Sequence, residues 1–580
     1  MRNKRGFDYI WTYGLGIVCF VIVACQVFRV TGPVIMPDEV GYWATGAWLA
    51  GYDWSGVMHM SPYYGVGYGF FLSVFAFFFK DPLTMFRGAV LLNAFFIVLI
   101  YCMVLCMAKY ILPELKNWMK AVTSFVLTMY AFNIYYAVNS EAEIIQVLIY
   151  LLICYLFLNI CLKGKKKYDL SGVMLAVLSV YLCACHQRNI GIVVVLFFSM
   201  VLLVLLDKFT KMSFCFFMCS LIIAFLAFFY FKNIVNNNIY VVSGYTSEEA
   251  SKVSGALGIF TVKGLKSFIE CFLGRFFYIG CASFLIAYKG IILLIRKLLI
   301  VLKEKKEYDK FFAFEFFIVC VLLAEIAIGA LAFLGNERRI DGFLYGRYSD
   351  HVMIPILLYG FKVSFEIKNK LVWQSGCSIF LIFLSFYMGK IYLNYNTLET
   401  STHSISGIIG MPILRNYDAE NIQILFSVGV AQFSLILSWI IYYFETGKNY
   451  NRKIVGVAIT GFCWCLFAFS ALMLYFFSFN DYNKDLYSFA MKVEEVKPDN
   501  KIYYALDKET ESLNPTSSTW LMYRIQFFMP RTSIHVIDLD EVKEGSYVLV
   551  YRYSKENQVL IEKKAQALVE GERMILYSTF

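Results

Sequence analysis

Long apolar runs alternate with short polar segments over residues 1–478 of this chain. The first run, Trp11 to Phe28, is long enough to cross a bilayer, since about 20 apolar residues cover the ~30 Å hydrocarbon core. The same pattern predicts crossings at about 9–30, 84–108, 118–136, 144–162, 170–185, 190–206 and 212–231. It predicts six more at about 272–295, 311–334, 351–367, 371–391, 425–445 and 454–478. Phe70–Phe79 is apolar but too short to span, and reads as an interfacial or re-entrant helix. Beyond residue 480 the pattern changes. Lys501–Leu506, Ser533–Asp538 and Ser546–Arg552 read as short strands, while Ser518–Phe528 and Gln558–Leu568 read as helices. The predicted fold class is a polytopic α-helical membrane protein of about thirteen spans (residues 1–478), with a small α/β domain at 481–580.

Charge orients this pattern. Only 16% of residues are charged and 59% are hydrophobic, with a mean hydropathy of +0.62. Basic clusters sit between apolar runs: Lys109/Lys116/Lys120, Lys163/Lys165/Lys166/Lys167, Arg296/Lys297/Lys303/Lys305/Lys306, Lys368/Lys370 and Lys448/Arg452/Lys453. With the basic tail Met1–Arg5 they predict a plasma-membrane protein with its N-terminus in the cytoplasm. The loop at 31–83 and the C-terminal domain then face outward. The net charge of +10 is explained by contact with membrane lipids and needs no nucleic acid. The first run lacks an Ala-x-Ala cleavage site and reads as a retained anchor. Most of the sixteen cysteines lie in apolar runs and none follows Cys465, so no disulfide framework is expected. The absence of a Walker sequence and of a Gly-rich nucleotide fingerprint excludes ATP and nucleotide-sugar chemistry, and no cluster has zinc-ligand spacing.

Residues 30–79 contain no lysine or arginine, yet carry Pro37-Asp38-Glu39 just past the first crossing. A carboxylate at the membrane–water boundary can act as general base toward an attacking hydroxyl. The same tripeptide also suits a helix start, where the dipole favours acids. Aromatic Tyr63-Tyr64 follows, then Arg87 at the head of the second crossing and Glu141/Glu143 in the next outer turn. Further on come His186 and Arg188, then Arg338, Arg339 and the Tyr345-Gly346-Arg347-Tyr348 segment. Glu325 lies inside the ninth run and must face protein or a water-filled cavity.

In this layout the chain resembles the GT-C class of integral-membrane glycosyltransferases. It is most similar to the branch holding the protein O-mannosyltransferases and the lipid A aminoarabinose transferase. The resemblance implies transfer of a sugar from a polyprenyl-phosphate donor to an outer-face acceptor (surface glycan, lipid or protein), with inversion. It places the catalytic base on Asp38, with Glu39 and Glu141 as further catalytic acids. Developing charge on the leaving phosphate suits guanidinium forks, so Arg347, Arg188, Arg338 and Arg339 are the expected phosphate ligands. Tyr63, Tyr64, Arg87, Glu143 and Tyr348 are the expected substrate contacts. Glu141 and Glu143 are also candidates to hold a divalent metal, the one cofactor this reading leaves open. Where the lipid A enzymes begin their juxtamembrane helix with a Lys-Pro-Pro-like motif, this sequence has Met60-Ser61-Pro62-Tyr63, without the lysine. The competing readings are a transporter or flippase of a lipid-linked saccharide, and an outer-face polysaccharide ligase or polymerase. Ionisable residues concentrated in outer loops, rather than at mid-membrane, favour the transferase.

Overall fold

The computed structural model describes residues 2–163, 169–240, 255–304, 310–334, 341–367, 369–392, 407–408, 428–447, 449–496, 501–506 and 518–579. Apolar runs become helices because a chain in lipid must satisfy its own backbone N–H and C=O groups. Expected crossings coincide with helices Arg2–Ala24, Pro82–Ile111, Glu143–Lys163, Ser171–Cys185, Ile190–Leu205, Lys211–Ile239 and Phe312–Ala332. They also coincide with Met353–Glu366, Lys370–Tyr392, Val430–Glu445 and Tyr450–Ala471. Among the described residues, eight segments are long and apolar enough to cross a bilayer. The short apolar run forms the helix Val66–Phe78, about 20 Å long at 1.5 Å per residue. Local signals set the starts. Asp81 caps Pro82–Ile111 by accepting from the Thr84 N–H at 2.8 Å, and Thr210 caps Lys211–Ile239 through the Ser213 N–H at 3.1 Å.

Two expected crossings are broken. The run at 118–136 forms Asn117–Thr128 and Ala131–Ala137, with Asn133 Nδ2 donating to the Thr128 carbonyl at 3.0 Å across the break. The run at 272–295 forms Val262–Ala282 and Ile286–Glu304, separated by Phe284 (φ 50°) and Leu285 (φ 65°). Left-handed backbone at a non-glycine residue costs roughly 1–2 kcal/mol each, so neighbours must impose it. Ser283 Oγ accepts from the Ala287 N–H at 3.2 Å, and Trp464 Nε1 donates to the Ala282 carbonyl at 2.8 Å. Burial of both Phe284 and Leu285 supplies the rest.

The C-terminal segment forms a five-stranded sheet in the order β2-β1-β3-β5-β4. Its strands are β1 (Lys501–Ala505), β2 (Ser533–Ile537), β3 (Tyr547–Tyr551), β4 (Gln566–Glu570) and β5 (Met574–Ser578). β1 pairs parallel with β2 and β3, whereas β5 runs antiparallel between β3 and β4. The helix expected over Gln558–Leu568 is instead Lys555–Glu562 followed by edge strand β4. The chain turns at Lys564 (φ 57°), and pairing with β5 overrides the helical propensity of the Gln566-Ala-Leu stretch. The helix Ser518–Phe528 lies against the loop that follows the first crossing. Trp54 Nε1 donates to the Pro530 carbonyl at 2.8 Å, and Arg524 Nη2 donates to the Val34 carbonyl at 3.0 Å. Trp43 packs edge-on against Phe527 with centroids 5.5 Å apart. Gly32 (φ +136°) meets the same helix so closely that a Cβ there would lie 2.7 Å from Phe528 Cζ. One hydrophobic core therefore runs from the membrane helices into the sheet.

Candidate active site

Helix Asp38–Leu49 opens with two acids in its first turn, where the backbone N–H groups favour negative charge. Their side chains part. Glu39 folds back over the helix start, and its Oε1 accepts from the Val34 and Ile35 N–H groups at 2.7 and 2.9 Å. Its Oε2 accepts from the N–H and Oγ of Ser140, both at 2.8 Å. Four donors occupy a fully buried carboxylate, which leaves Glu39 no lone pair for an incoming proton. Burial raises its pKa, with those four hydrogen bonds pulling the other way. Glu39, expected among the catalytic acids, ties the segment at Val34-Ile35 to the turn at Ser140.

Asp38 faces the other way. Its Oδ1 accepts from Tyr64 OH at 2.8 Å, and its Oδ2 meets Arg347 Nη1 at 2.5 Å. Its side chain keeps 23% exposure, whereas those of Glu141 and Glu143 keep none. Burial, and then Asp38 itself, push the Tyr64 phenol well above its ordinary value, so it remains a neutral donor.

Arg347, in the short helix Arg347–Asp350, gathers the remaining acids. Its Nη2 lies 2.6 Å from Glu141 Oε1, its Nε 2.6 Å from Glu143 Oε1, and its guanidinium 5.7 Å over the Tyr136 ring. Burial opposes its charge, but Glu141, Glu143 and Asp38 outweigh burial and hold its pKa above the ordinary value. Glu141 is pushed well above the usual carboxylate range by burial and by its acidic neighbours, against the pull of Arg347. Carboxylates surround Arg347, expected from sequence as a phosphate ligand, three to one: its guanidinium is the hub at which Asp38, Glu141 and Glu143 meet.

Arg188 is differently placed. Its Nη2 lies 3.4 Å from Glu143 Oε1 and 3.2 Å from Gln146 Oε1, and its guanidinium sits 4.7 Å over the Tyr348 ring. Its Nε and Nη1 are buried with no hydrogen-bond partner among the described residues. Tyr63 packs on Tyr240 at 5.6 Å, and Tyr240 OH donates to the Gly41 carbonyl at 3.0 Å. This brings Lys232 to the rim, with Nζ 5.0 Å over the Tyr63 ring. Lys232, Ser140, Gln146 and Tyr136 were not singled out from sequence; a lone lysine closing an apolar run reads as a snorkelling residue. Arg87 lies beside Tyr487 rather than in the cluster. Arg338 and Arg339 lie outside the described residues. Among the described residues, no group of three or more His, Cys, Asp or Glu side chains is arranged to hold a metal ion.

Next to the hub, Asp350 accepts from Tyr130 OH at 2.7 Å and from Tyr278 OH at 2.5 Å. Burial pushes it up to about 7, with those hydrogen bonds opposing. The folded protein therefore keeps a proton that an unfolded chain, with Asp near 3.9, releases, and stability falls as pH rises from about 4 to 7. Asp350→Asn should be near neutral at pH 4 and raise the melting temperature in detergent at pH 8. An equal shift at both pH values would contradict this.

No protein-family profile matches the sequence, and no curated protein matches it. Solved structures do match in fold. ArnT from Cupriavidus metallidurans bound to undecaprenyl phosphate superposes with a TM-score of 0.52 at 11% identity, covering 97% of this chain and 98% of that one. The same protein in the apo state gives 0.51 at 11% identity, over 97% and 98% of the two chains. The oligosaccharyltransferase AglB from Archaeoglobus fulgidus gives 0.40 at 11% identity, over 97% and 73%. The chain has the GT-C fold.

Proposed function

We propose that this protein moves a sugar from a polyprenyl-phosphate-linked donor to a hydroxyl acceptor at the outer face of the plasma membrane, with Asp38 as general base. The observation that carries this is Asp38 itself: alone among the four clustered acids in keeping solvent access, it is oriented by Arg347 and Tyr64. Asp38 takes the acceptor proton, the acceptor oxygen bonds to the sugar C1, and the C1–O bond to phosphate breaks with inversion. The lipid phosphate leaves with the bonding pair. Negative charge develops on that phosphate, and cations aimed at it are worth most in a water-poor site. Arg188, with two unpartnered nitrogens, and Lys232 at the rim are the phosphate ligands in this scheme. It supposes thirteen crossings, the N-terminus inside and residues 481–580 as an outer domain. The ArnT structure of the same fold was solved with undecaprenyl phosphate bound, which supports a lipid-phosphate donor.

Purified protein incubated with undecaprenyl-phosphate and undecaprenyl-diphosphate sugars, together with a cell-envelope extract that supplies acceptor hydroxyls, should release the lipid phosphate from at least one monophosphate donor. Arg188→Gln should raise the donor KM by roughly 10-fold or more, the scale of a charge-assisted hydrogen bond at ~1.5–3 kcal/mol. No release from any donor would refute the transferase assignment.

A further inference from the structure

A second polar cluster adjoins Arg188 and takes no part in the transfer just described. Glu325, from helix Phe312–Ala332, and His351 are both fully buried, with Oε2 and Nε2 3.8 Å apart, too far for a hydrogen bond. Neither oxygen of Glu325 and neither ring nitrogen of His351 has a hydrogen-bond partner among the described residues. The same holds for Arg188 Nε and Nη1, Gln146 Nε2, Asn189 Oδ1 and Glu143 Oε2. These groups are contiguous. Gln146 Oε1 accepts from Arg188 at 3.2 Å and from Asn189 at 3.0 Å, which fixes the orientation of its amide. Gly191, two residues on, brings the next helix so near that a Cβ there would lie 3.1 Å from Glu325 Oε1.

Buried polar groups in native proteins are nearly always paired. A concentration of orphaned ones beside the proposed phosphate ligand therefore calls for a polar occupant. Its chemistry follows from the mixture. Carboxylate and amide oxygens need donors, guanidinium and amide nitrogens need acceptors, and the imidazole serves either way. A metal ion would leave the Gln146 amide nitrogen unserved, and a lipid chain would serve none of them. Hydroxyl groups both donate and accept. We propose that Glu325, His351 and Asn189, beside the phosphate ligand Arg188, form the site for the donor's sugar ring and read its hydroxyls. This rests on the transferase reading and adds to it the place where the sugar is chosen.

The test compares binding of bare undecaprenyl phosphate with binding of its glucose, mannose, galactose and 4-amino-4-deoxyarabinose conjugates to the full chain in detergent. At least one conjugate should bind roughly 10-fold or more tightly than the bare lipid, the scale of one or two satisfied polar groups. Glu325→Leu should abolish that preference while leaving binding of the bare lipid unchanged and without lowering the melting temperature, because it removes a carboxylate that no protein group satisfies. Should it not fold, His351→Gln is judged by the same ratio. A wild-type protein that binds every conjugate no better than bare lipid holds only water there, and the proposal is overturned. It is overturned equally by a Glu325→Leu protein that keeps the preference. Binding of neither bare lipid nor conjugate would instead overturn the transferase reading itself.

Discussion

Asp38→Asn should lower sugar transfer by roughly 10²–10⁴, about 3–5 kcal/mol of barrier, the usual cost of losing a general base. The substitution keeps the side-chain shape and the oxygen that accepts from Tyr64. Its amide nitrogen replaces the oxygen that accepts from Arg347 Nη1, so the melting temperature should fall modestly while expression and donor binding stay close to wild type and transfer nearly stops. Glu39→Gln should give the reverse, because a neutral amide cannot accept all four hydrogen bonds the carboxylate takes. Its cost appears in stability before chemistry. Steady-state rates and thermal melts on the two variants separate a base from a tie. An Asp38→Asn protein retaining more than about a tenth of the wild-type rate would remove Asp38 from the role and leave Glu141 as the candidate.

Arg347→Ala should be the most damaging change to the fold. Removing one partner from a buried ion pair costs about 3–5 kcal/mol because the other charge is left uncompensated, and here Asp38, Glu141 and Glu143 would all be left without their common cation. We expect little folded protein, or a melting temperature several degrees lower, with the loss reduced at low pH where carboxylates protonate. Arg347→Lys should recover only part, because an ammonium is a point charge and cannot present three nitrogens along a planar fork. A well-folded Arg347→Ala protein that merely binds donor weakly would return Arg347 to the phosphate.

The individual residues of this cluster were legible in the sequence; their relation was not. Charge at the edges of apolar runs is visible locally, and so Asp38, Glu141, Glu143, Arg188 and Arg347 each stood out. The Arg347 bonds to Asp38 and Glu143 join residues 309 and 204 positions apart, and nothing in a single chain states which distant loops meet. The three carboxylates around Arg347 were therefore not foreseeable from the Gly346-Arg347-Tyr348 segment alone. The helix positions followed from apolar periodicity. The break at Phe284-Leu285 did not, since neither residue is a helix breaker and the conformation is imposed by Ser283 and Trp464. Strand β4 was read as helix for the same reason, its pairing partner β5 lying further along the chain.

The contacts between Ser518–Phe528 and the loop bearing Asp38 bear on biogenesis. Arg524 and Val34 are 490 residues apart, and Trp54 and Pro530 are 476 apart. On the ribosome the early loop is made long before its support has been translated. A nascent chain can therefore be fully threaded through the bilayer while the loop bearing Asp38 still lacks a bracing surface. A stop codon after residue 500 would leave an inserted but idle protein.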